Sequence, residues 1–68
     1  MVEITYDPEA DVFYIRTSEN LKPVEAIPVN EDVLVDISED GKIVGIEILN
    51  AKKNLGETLI NKQETKIL

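Results

Sequence analysis

Cysteine and histidine are both absent from the 68 residues. Their absence removes disulfide cross-links and imidazole bases together, and it leaves a structural zinc site without its usual ligands. Ser18 and Ser38 therefore have no histidine to activate them, and neither lies in a strand–turn–helix elbow. Glycine is scarce as well. The three glycines, at positions 41, 45 and 56, are spread over two turns and a strand, so no glycine-rich loop is available to cradle a phosphate. Long apolar runs are also missing. The longest nearly apolar stretch, Ile43 to Leu49, is interrupted by Glu47, and no positively charged start leads into an apolar segment, so neither a signal peptide nor a membrane span is expected. The expected compartment is the cytoplasm.

What is present is a short acidic chain with a net charge of −7. A chain of this length forms one domain at most, here residues 1–68, in the size range where the buried fraction of the surface is smallest. With no disulfide or zinc to help, further burial has to come from a partner chain, so a homodimer or larger assembly is expected. The charge is unevenly spread. Residues 1–49 carry twelve acidic and three basic side chains, a net of −9, whereas residues 50–68 carry two acidic and four basic ones, a net of +2. The body should repel nucleic acid and anionic membranes and attract a basic protein. The lysines at 52, 53, 62 and 66 read more simply as a solvated tail than as a phosphate-binding one.

Alternation with a period of two dominates the first fifty residues. Val2, Ile4 and Tyr6 alternate with Glu3 and Thr5, and Phe13 and Ile15 with Tyr14 and Arg16, which predicts two strands joined by a turn. In VEAIPV, Pro28 demotes the segment to an edge strand. VLVDIS and KIVGIEIL then predict a second hairpin around Asp40-Gly41. A two-residue type I′ turn places Ile37 opposite Val44, Val35 opposite Ile46 and Val33 opposite Ile48, all on one face. A three-residue loop with Gly41 in a bulge would waste that apolar stripe. After Leu49 a helical turn AKKNL, capped by Asn50 and ended by Gly56 in the left-handed conformation, opens a helical or irregular tail over 50–68. In it, Ile60, Glu64 and Ile67 or Leu68 have weak helical spacing, while TKIL fits a terminal strand. The expected fold is α+β and mostly β: an antiparallel sheet of four to five strands over 1–49, built from hairpins, with a short C-terminal helical segment.

Two groups of residues invite a chemical reading. The stretch YDPEAD sets Asp7, Glu9 and Asp11 at the first, third and fifth positions of a calcium-type loop, but Val12 and Ser18 occupy the positions that need glycine and glutamate. Asp7-Pro8 is by itself a strong turn starter, because the carboxylate accepts backbone N–H groups two residues on and proline sets φ. The second group is Asp36, Glu47, Tyr14 and Arg16, which fall on the polar sides of their strands. Converging in a cleft, they could do acid–base chemistry; coating a wet sheet face, they need do nothing. Gly45, opposite Asp36, leaves a gap that an aromatic such as Tyr14 could cover.

Taken together, YDPEADVFYI and VDISEDGKIVGIEILNA resemble the small prokaryotic family known as domain of unknown function 2283. The resemblance rests on Tyr6, Asp7, Glu9, Asp11, Tyr14 and Ile15, and on Asp36, Gly41, Gly45, Glu47 and Leu49. It implies a compact β-rich domain with no established activity, often encoded beside small toxin-like genes of ribonuclease type, and hence an antitoxin-like binding role. Asn50 departs from the pattern, where the family tends to have Asp. The structural motif is thus Tyr6, Asp7, Pro8, Asp11, Tyr14, Asp36, Gly41, Gly45 and Glu47. No catalytic, metal or cofactor site is expected, and a non-catalytic protein-binding module is favoured over a small carboxylate-based or metal-dependent hydrolase.

Overall fold

Strands form where side chains alternate. The computed structural model describes residues 2–17, 20–58 and 66–67. Its elements are β1 (Glu3–Asp7), β2 (Val12–Arg16), β3 (Glu25–Pro28), β4 (Val33–Ile37), β5 (Ile43–Ile48), α1 (Ala51–Leu55) and β6 (Lys66–Ile67). The strands make one sheet in the order β3-β4-β5-β2-β1-β6, with every pairing antiparallel. This is the expected mostly β architecture: five principal strands, a two-residue sixth on the outer side of β1, and one short helix. β3 lies at an edge, where the missing N–H of Pro28 removes no bond from the interior of the sheet. Of the tail, only Lys66–Ile67 settles as strand; the helical spacing of Ile60 and Glu64, like Lys62 and Ser18, lies outside the described residues.

The second hairpin corrects the expected turn and the expected Ile37–Val44 pair, and keeps the other two pairs of the expected register. Gly41 N–H donates to the Ser38 carbonyl (3.0 Å) and Ser38 N–H to the Lys42 carbonyl (2.9 Å), which closes a three-residue loop, Glu39-Asp40-Gly41. Gly41 has φ 84° and Asp40 stays out of the positive-φ region, whereas a type I′ turn would need both there. The Ser38 hydroxyl adds a reason for this loop, accepting Lys42 N–H at 3.1 Å and donating to the Asp40 carboxylate. The extra residue is absorbed by a bulge. Ile37 pairs with Ile43 and Asp36 with Gly45, so Val44 is left over, and the pairs Val35–Ile46 and Val33–Ile48 fall where the apolar stripe requires them.

Cross-strand register sorts the sheet into two faces. One carries Ile4, Tyr6, Phe13, Ile15, Ile27, Val33, Val35, Ile46 and Ile48; the other carries Glu3, Thr5, Tyr14, Arg16, Asp36, Gly45 and Glu47. α1 lies against the first, where Ala51 and Leu55 pack with Phe13, Ile4, Tyr6, Ile15 and Ile48. The helix begins at Asn50, as expected, but by another device. Asn50 takes a left-handed φ of 49° and its side chain caps nothing in α1; Gly56 at the other end has φ 85° and ψ 143°, which is positive-φ backbone but not the left-handed helical cap expected.

Candidate functional site

The acidic turn that opens the chain is a structural joint. Asp7 Oδ1 accepts the N–H groups of Glu9 (3.0 Å) and Ala10 (3.3 Å), while Pro8 follows it into the turn with its φ already set. Asp11 closes the turn at φ 55°, a conformation that aspartate tolerates better than most residues. From there it does three things. Its carboxylate accepts the Tyr6 hydroxyl at 2.8 Å and the Lys52 N–H at 3.2 Å, and its carbonyl accepts the Ala51 N–H at 3.0 Å. The first N–H groups of α1 are therefore satisfied by a residue some forty positions earlier, which is the role expected of Asn50. Burial, and then the bond to Asp11, push the Tyr6 phenol up to about 12. Among the described residues, no three carboxylates gather to hold a metal.

The second group does converge, on the polar face. Register sets Tyr14 opposite Glu47, and Glu47 opposite Leu34, with Asp36 next along β4 and opposite Gly45. The Tyr14 hydroxyl donates to Asp36 Oδ2 at 3.0 Å. Gly45 makes this possible. A Cβ there would stand 2.2 Å from the Tyr14 oxygen and 2.5 Å from the ring carbon that bears it, so the ring occupies the space a side chain would fill. Asp36 is only 9% exposed. Hydrogen bonding with Asp36 first, then burial and the Asp36 charge, hold the Glu47 carboxyl above the usual glutamate range. Burial and the same carboxylate raise the Tyr14 phenol, partly opposed by the positive charge of Arg16, which stands across from Glu3 on β1.

These groups could store a proton between Asp36 and Glu47. A substrate would need a concave place beside them. An open cleft of about 550 Å³ lies by the β4–β5 loop, lined by residues that include Lys22, Val24, Ser38 and Glu39, and no residue of the structural motif borders it.

A third polar knot was not anticipated from the sequence. Asp32, also 9% exposed, accepts the side-chain amides of Asn50 (2.9 Å) and Asn54 (3.1 Å), with the Lys53 ammonium 3.6 Å away. Those amides, Asn54 first, hold its carboxyl below the usual range. An aspartate at position 50 would put a second carboxylate against it, whereas Asn50 brings a donor. The signal in the sequence was Asn30, whose Oδ1 accepts the N–H groups of Asp32 (2.8 Å) and Val33 (2.9 Å) and turns the chain so that Asp32 points inward.

Residues 3–52 match the family described as "Protein of unknown function (DUF2283)". The uncharacterized protein MJ0789 of Methanocaldococcus jannaschii is 42% identical over 52 residues, covering 76% of this chain and 43% of that protein. The uncharacterized protein YuzE of Bacillus subtilis is 35% identical over 60 residues, covering 81% of this chain and 46% of that protein. The chain thus spans less than half the length of these curated relatives. No solved structure matches.

Proposed function

The chain belongs to this family of unknown function, so its role has to be argued from its own geometry, and we propose that it is a small non-catalytic protein-binding module that docks a basic partner on its acidic exterior. The observation that carries this reading is that each group an acid–base site would use is already engaged by the fold. Asp7 holds a turn, Asp11 caps α1, and Asp36 accepts the Tyr14 hydroxyl. What remains outward is charge: Glu9, Glu31 and Glu39 are exposed on three separate turns of a body that carries a net −9 over residues 1–49. An acidic surface attracts a basic one and speeds their encounter, and it imitates the phosphates a nuclease would otherwise bind, as an antitoxin-like partner must.

The test is a tagged full-length chain used to capture partners from its native lysate at low salt. A basic protein released by moderate salt, and no longer captured by the variant Glu9→Lys, Glu31→Lys, Glu39→Lys, is the expected result. Multiple-turnover hydrolysis by the purified chain, abolished by Asp36→Asn, would overturn the reading in favour of the carboxylate hydrolase.

A further inference from the structure

The face opposite Tyr14 and Asp36 has only part of the cover that a sheet needs. α1 is five residues long and reaches the β1, β2 and β5 side, around Phe13. Beyond it the apolar surface continues. Ile27, Val35, Ile46, Ile15 and Ile4 stand in one unbroken cross-strand row from β3 to β1, roughly 19 Å long at the usual strand spacing. At the β3–β4 end of that row nothing described lies on top: Ile27 is 43% exposed and the neighbouring Val29 64%. Val33, Val35, Ile37 and Ile46 are only half-buried. Among the described residues α1 supplies a second layer over only part of the sheet, whereas a stable domain is built from two layers around one core.

We infer that this open half of the apolar face, centred on Val35 and Ile46, is the contact surface of a homodimer in which two sheets pack face to face. Charge selects the occupant. Of the six charged strand residues in β1 to β5, Glu3, Asp7, Arg16, Asp36 and Glu47 fall on the polar side and Glu25 alone, at the start of β3, on the apolar side. A basic partner brought here would bury several charges with only Glu25, at one margin, to meet them, which is costly. A second copy presents the same β-branched surface, charged only at Glu25 on its margin. Two chains of net charge −7 also approach with least repulsion when their acidic faces point away from each other. Sheets stacked in this way sit about 10 Å apart with interdigitating side chains, which closes the missing layer. Edge-to-edge pairing through β3 is disfavoured by Pro28, which has no N–H to offer, and by Glu25. The surface is separate from the acidic exterior, so this inference stands whether or not the basic partner exists.

Sedimentation equilibrium of the full chain at micromolar concentration tests it, together with single cysteines introduced into a chain that has none. The expected result is a dimer in which Val35→Cys and Ile27→Cys are alkylated at least tenfold more slowly at high protein concentration than at low. Thr5→Cys, on the polar face, should react at one rate throughout. Ile27→Lys, at a site already exposed in the single chain, should give a monomer with an unchanged far-ultraviolet circular dichroism spectrum. A monomer at every concentration, or a dimer that Ile27→Lys leaves intact and in which Thr5→Cys is the protected position, would overturn the inference.

Discussion

The two faces of one sheet place their side chains by the same alternation and end in different conditions. On the polar face, Tyr14, Asp36 and Glu47 find partners across strands, and Gly45 makes room for the tyrosine ring. On the apolar face, Phe13 is buried beneath α1 against Ala51, while Ile27 and Val29 stay in water. The difference lies in the forces. A hydrogen bond is complete once donor and acceptor meet, which two strands can arrange between themselves. Apolar surface gains in proportion to the area removed from water, so it is not satisfied until something covers it. Among the described residues, α1 covers only part of that face.

Substitutions can break this contrast, starting with the largest effect. Phe13→Ala removes the principal side chain under α1 and should cost about 3–5 kcal/mol, enough to unfold much of a domain this small. Urea denaturation measures it, and an unfolding free energy within about 1 kcal/mol of wild type would mean that the core lies elsewhere. Gly45→Val strikes the polar face. The added carbons collide with the Tyr14 ring, and a loss of about 1–3 kcal/mol is expected. The double variant with Tyr14→Ala should lose less than the sum of the two single changes, because the collision disappears with the ring.

Asp11→Ala comes next, at about 1 kcal/mol, since it strips a side-chain acceptor from α1 and one from Tyr6. Asp11→Asn, which keeps an acceptor oxygen, should recover part of the loss. Urea denaturation of both variants distinguishes a cap from a cation site: calcium at millimolar concentration should leave the wild-type midpoint unchanged.

The smallest effect is the most specific. Because the folded Glu47 carboxyl binds its proton more tightly than an unfolded one, its protonated form adds stability at pH values below the ordinary glutamate range. That contribution is lost as pH rises through the raised folded value. Asp32 and Asp40 work in the opposite sense: with folded values lowered, the stability they contribute is present above the ordinary aspartate range and is lost as pH falls through the lowered values. Glu47→Gln should therefore stabilise the protein slightly at neutral pH and lose that advantage in acid. Melting temperatures of the two proteins from pH 4 to 8 would show the curves converging at the acidic end; parallel curves would mean that Asp36 and Glu47 do not share a proton.

The β4–β5 hairpin shows how far pattern alone carries. The alternation of Val33, Val35 and Ile37 against Ile46 and Ile48 predicted the register, yet it pointed to a two-residue turn, because a bulge is invisible to a rule that counts by twos. The loop was decided by Ser38, whose hydroxyl and backbone groups reach Lys42 and Asp40, and Val44 absorbed the remainder. The candidate site divides in the same way. The placement of Tyr14, Asp36 and Glu47 on one face follows from parity, whereas the contact between Tyr14 and Asp36 depends on β2 pairing with β5 and not with another strand.

By itself, then, the sequence determined the five principal strands, the helix over Ala51–Leu55, the Asp7 turn and the division of residues between faces, because each follows from periodicity or from a side chain bonding its own near neighbours. Tertiary structure alone decided that Asp11 caps a helix begun forty residues later, that Asp32 gathers Asn50 and Asn54, and that Ile27 and Val29 stay exposed. Those outcomes join residues far apart in the chain, and no local preference records which distant segment will arrive beside them.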